Sequence, residues 1–101
     1  MEHRRLTLPL FEEMAVELSA EELEYRWGFN RGELTALRVL TVPEKGRLVS
    51  GGVEVERGEI LLRWELEQLY YLSDVTEDDW FAVIPIGNQP MCALVELKAI
   101  K

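Results

Sequence analysis

The spacing of the apolar residues changes period partway along this chain, and that change limits the fold more than any other feature. Up to about residue 40 the apolar positions recur every three or four residues, as on one face of a helix. Beyond residue 46 they alternate with polar ones or run continuously, as along strands. Helices first and hairpins later predict an α+β domain. At 101 residues the chain makes a single domain, 1–101, long enough to bury its own core.

In the first half, Leu10, Phe11, Met14 and Leu18 share a helical face over 10–18. Ser19 has the chemistry of an N-cap, and Glu22 three residues on completes a capping box. The helix it opens, about 20–27, buries Leu23 and Trp27 and ends at Gly28. Asn30 and Glu33 repeat the capping pattern. They predict a further helix from Arg31 to about Leu40, burying Leu34 and Leu37 and stopped by Pro43.

In the second half, 46–50 reads as a short strand, Gly51-Gly52 as a turn, and 53–63 as a hairpin turning at Arg57-Gly58. Residues 64–72 return to helical spacing through Leu66, Leu69 and Tyr70. After the acidic connection 73–79, residues 80–86 and 91–98 form an apolar hairpin around Gly87-Asn88-Gln89-Pro90. Pro85 marks the first of these strands as an edge or a bulge.

Acidic residues outnumber basic ones 19 to 11, for a formal charge of −8. That balance opposes non-specific attraction to nucleic acid or anionic lipid. No apolar run approaches the roughly 20 residues that span a bilayer, and no leader pattern opens the chain, so a cytoplasmic protein is expected. The single histidine, His3, and the single cysteine, Cys92, are too few for zinc, and neither reads as part of a nucleophilic triad. Asp74, Glu77, Asp78 and Asp79 lack the spacing of a calcium loop. No catalytic constellation is found and no cofactor is expected; the reading is of a non-enzymatic protein.

The stretch Leu18 to Leu37, with its two capping boxes about Gly28, resembles the helix-turn-helix of phage excisionases and mercury-resistance-type regulators. The likeness implies an amino-terminal helix-turn-helix-like unit, then a β-hairpin, a helix and the carboxyl-terminal hairpin. It also implies duplex DNA as a partner, with Asn30, Arg31 and Thr35 on the second helix and Arg26 and Arg38 as phosphate contacts. This sequence departs from the family pattern at Glu24, where alanine is usual, and in its acidic hairpin, with Glu54, Glu56 and Glu59.

Two functions from different classes follow. The first is a small regulatory or accessory protein acting on DNA, homodimeric through the edge of the hairpin 80–98. The second is an acidic adaptor or phage-type inhibitor that occupies a basic surface of a partner protein. Tyr70, Tyr71, Trp80 and Phe81 are the candidate protein-interface residues, because Tyr and Trp concentrate at such surfaces.

Overall fold

Alternating apolar and polar side chains extend over both ends of the chain, and strands form wherever they do. The computed structural model describes residues 2–12, 15–87 and 91–100. Among these described residues nine strands and two short helices follow in the order β1 (Glu2–Leu10), β2 (Val16–Glu17), α1 (Ala20–Trp27), β3 (Ala36–Val39), β4 (Arg47–Ser50), β5 (Val53–Glu54), β6 (Ile60–Leu62), α2 (Arg63–Leu66), β7 (Leu69–Leu72), β8 (Asp79–Ile86) and β9 (Met91–Ala99). They make a five-stranded sheet, β1-β9-β8-β3-β6, and a four-stranded sheet, β2-β7-β4-β5.

The period of two decides what each strand buries. Leu6, Leu8 and Leu10 of β1, Phe81 and Val83 of β8, and Met91, Ala93, Val95 and Leu97 of β9 all point to one side of the larger sheet. They form one core with Leu48, Leu69 and Tyr71 of the smaller sheet and with Leu23 and Trp27 of α1. β1 runs parallel to β9 over nine paired positions, and every other pairing is antiparallel. At its inner side Arg4 donates to the Trp27 carbonyl, which ties β1 to the end of α1.

The expected helical first half is corrected to one helix among strands. α1 forms as its caps predict: the Ser19 hydroxyl accepts from the Glu22 N–H at 3.3 Å, and Gly28 closes the helix at φ 73°. The second helix of the helix-turn-helix is absent. The Asn30–Glu33 contacts do form, with the Glu33 carboxylate accepting the Asn30 N–H at 3.1 Å. They close only a turn, because Gly32 lies at φ 84° and takes the backbone out of the helical region. The chain then leaves as β3, whose surroundings hold the β-branched Thr35, Val39, Thr41 and Val42.

Three further expectations change. Leu10 ends β1 and Val16 opens β2, so 10–18 is not a helix; its Met14 lies outside the described residues. The helix over 64–72 shrinks to the single turn of α2, followed by β7. The 53–63 hairpin divides: β5 pairs with β4 across Gly51-Gly52, while β6 pairs with β3 in the other sheet. The terminal hairpin forms as β8 and β9, but both are interior strands and offer no edge to a second copy. Pro85 sits beyond the described β8–β9 ladder, which ends at Val83 opposite Ala93, so its missing N–H breaks no bond there. The turn beyond Gly87 lies outside the described residues.

Candidate functional site

Neighbouring side chains on a strand point to opposite sides, so Tyr70 and Tyr71 of β7 part company. Tyr71 is fully buried and Tyr70 is 40% exposed on the outward side of the four-stranded sheet. What fixes this register is a buried carboxylate. Asp79 Oδ2 accepts the Tyr71 hydroxyl at 2.7 Å and the N–H groups of Lys45 and Gly46 at 3.1 and 2.9 Å. Its Oδ1 accepts the N–H groups of Glu44 and Trp80, each at 3.0 Å. Burial alone would raise the Asp79 pKa, but the Tyr71 hydroxyl and these N–H groups outweigh it and hold the carboxyl below its ordinary value. Burial, and then the bond to Asp79, push the Tyr71 hydroxyl well above the ordinary phenol range, so it stays a donor. Gly46 is required at the crossing: a Cβ there would meet the Leu72 carbonyl and the Tyr71 ring at 2.5 Å.

With β7 locked, the pairings build the outward face. Glu17 of β2 lies opposite Tyr70 on one side and Val49 of β4 on the other, and Val49 in turn faces Glu54 of β5. The row therefore reads Glu17, Tyr70, Val49, Glu54. Gly51 and Gly52, both at positive φ (56° and 82°), form the two-residue turn that joins β4 to β5. A shallow groove beside Tyr70 is lined by Ala15, Val49, Gly51, Gly52, Glu67, Gln68 and Leu72. Glu17, Glu54 and Glu67 are exposed, and none makes an ion pair among the described residues. Arg47, opposite Leu72, is the one cation on these strands. An aromatic face flanked by unpaired carboxylates suits a lysine or arginine side chain, through cation–π attraction and charge-assisted hydrogen bonds.

The proposed DNA-contacting residues do not come together in one element. Arg26 closes α1 and pairs with Glu22 at 2.7 Å. Asn30 and Arg31 lie in the following turn, with Arg31 3.9 Å from Glu21. The Thr35 hydroxyl donates to the Ile86 carbonyl at 3.0 Å, and Arg38 projects from β3 on the outward side of the larger sheet. Among the interface candidates, Phe81 is core like Tyr71, whereas Trp80 is exposed like Tyr70 but on the other sheet. Glu24, the departure from the family pattern, is buried and bidentate with Arg63 at 2.5 and 3.2 Å. It also accepts the Leu34 N–H at 2.9 Å. Burial opposes its charge, yet Arg63 and this N–H hold its pKa below the ordinary value. His3 and Cys92 are register partners on β1 and β9.

Sequence reasoning picked out Tyr70 and missed Glu17 and Glu54, which strand pairing aligns with it from two other segments, and Glu67, which lines the groove from the end of α2. Among the described residues no helix is long and apolar enough to cross a membrane, and no three His, Cys, Asp or Glu side chains are grouped to hold a metal. Comparison with known proteins gives no match to any family model, curated protein or solved structure.

Proposed function

We propose that this chain is a non-enzymatic accessory protein that binds a basic surface of a partner protein through the outward side of its four-stranded sheet. The observation that carries the reading is the row Glu17–Tyr70–Val49–Glu54, an exposed aromatic between carboxylates that make no ion pair among the described residues. Net charge of −8 steers a basic partner toward the molecule, and the row gives the encounter a place to settle. Duplex DNA has no comparable arrangement behind it, since the residues meant for it fall on a helix end, a turn and a strand.

The test is an NMR titration of the isotopically labelled chain with a lysine- and arginine-rich peptide, and with an acidic peptide of equal length. The basic peptide is expected to shift amides of β2, β4 and β7 in a salt-sensitive way, and Tyr70→Ala should weaken it about tenfold. Shifts spread evenly over all exposed acidic residues, or none at low salt, would sink the reading.

A further inference from the structure

The outward side of the five-stranded sheet has a different character. β8 and β9 are apolar on both sides, with Phe81, Val83 and Val95 facing inward and Trp80, Ile84 and Leu94 facing outward. Strands apolar on both sides belong to sheets covered on both sides. Here the core covers one side only: Trp80, Ile60 and Leu62 are each 51% exposed on the other.

Charge says what can approach. Two copies of a chain at −8 repel one another over most of their surfaces. The described outward positions of these five strands hold a single carboxylate, Glu96, bound by Arg5 at 2.8 Å through Oε1. Its Oε2 pairs with Lys98 at the longer distance of 3.7 Å. Arg38 is exposed on the same face, with no ion pair or side-chain hydrogen bond among the described residues.

The registers place these two charges symmetrically. Ala82 lies opposite Leu94; two residues onward, Ile84 lies beside Arg38 on the β3 side. Two residues back, Trp80 lies beside Glu96 on the β9 side. Arg38 and Glu96 are thus equally displaced from Ala82 in opposite directions. A two-fold axis through Ala82, in the plane between two stacked sheets, sets Arg38 of each copy over Glu96 of the other. With strands ~4.8 Å apart and two residues spanning ~6.8 Å, the stacked sheets cross at roughly 70°, close to orthogonal sheet packing.

We propose that the outward side of the five-stranded sheet is the two-fold contact between two copies of this chain, closed by Arg38 of each copy against Glu96 of the other. An isologous contact needs a self-complementary patch, and this face sets Arg38, which has no ion pair among the described residues, and the carboxylate of Glu96 about one centre. Trp80 and Ile84 fill the apolar space between. The dimer leaves both Tyr70 rows outward, so the inference adds to the function proposed above and stands apart from it.

Light scattering after size exclusion, over a concentration series of the full chain, tests it. The expected mass rises to twice 11.7 kDa. Arg38→Glu should raise the dissociation constant about tenfold or more, and the charge-swapped pair R38E/E96R should recover most of that loss. Because Glu96→Arg also removes the ion pairs with Arg5 and Lys98, Trp80→Glu serves as a second probe, with circular dichroism melting to show each variant folded. A chain monomeric at every concentration overturns the proposal. So does a dimer unmoved by Arg38→Glu and Trp80→Glu, or a charge swap that recovers nothing. The basic-peptide titration reads the opposite sheet, so either result can fail alone.

Discussion

Asp79 collects five hydrogen bonds where little water reaches it, and its charge is what makes all five worthwhile. Three come from the consecutive N–H groups of Glu44, Lys45 and Gly46, so one carboxylate organises the loop that leads into β4. The folded pKa values of Asp79 and Glu24 lie below their ordinary values, and so below those of the unfolded chain. Their stabilisation is therefore fully present above the unfolded carboxyl range, about pH 4, and is lost as pH falls through the folded values. Urea unfolding should show a stability plateau near neutrality and a decline below about pH 4. Asp79→Asn, which keeps the shape but withdraws the anion, should cost about 2–4 kcal/mol at pH 7, with the gap to wild type narrowing in acid. A constant gap would mean that the charge of Asp79 is not what holds the loop. None of this was visible in the sequence, where Asp79 is one of four acids in a connection that reads as solvated.

Arg63 acts between elements. From the start of α2 it reaches Glu24 on α1 and, at 2.7 Å, the Leu34 carbonyl before β3, so a helix, a loop and the next helix share one guanidinium. Arg63→Leu strands a buried carboxylate and should destabilise the fold by about 3–5 kcal/mol, while the double change E24L/R63L should recover most of it. Chemical denaturation of the three variants gives the cycle, and additive losses would rule the coupling out. At this scale the sequence was partly legible. The Ser19–Gly28 helix, the Gly51-Gly52 turn and the terminal hairpin could be read because caps, turns and alternation act over a few residues. The second helix was misread because the Asn30–Glu33 contacts serve a turn as well as a helix, and nothing local reveals that β6 and β8 wait on either side of β3. β7 was misread for a like reason: Leu66 and Leu69 are both buried, one on a helical turn and one on a strand. Tyr70 was legible as an exposed aromatic, but Glu17 and Glu54 join its row from other segments through pairing alone.

Over the whole molecule the charges are sorted. Among the described acidic residues, Glu24 and Asp79 are buried and Glu96 lies on the outward side of the larger sheet. Glu17 and Glu54 stand on the smaller sheet. The outward side of the larger sheet meanwhile carries Arg5, Arg38 and Lys98. A chain at −8 repels itself in the compact state, and salt relieves that repulsion. The melting temperature should therefore rise between low and moderate salt, as followed by circular dichroism. A fall would mean that the surface ion pairs, such as Arg26–Glu22, outweigh the net charge.

The parallel pairing of β1 with β9 also sets the order of events when the chain assembles. Glu2 pairs with Met91 and Leu10 with Ala99, so β1 must be held in reserve until β9 has been made. Hairpins such as β4–β5 and β8–β9 close over short loops, but this ladder closes across all the elements between β1 and β9 and can form only once β9 is made. During synthesis β8 therefore stands at the edge of the larger sheet until β9 is made, and the leucines of β1 are then without their lasting cover.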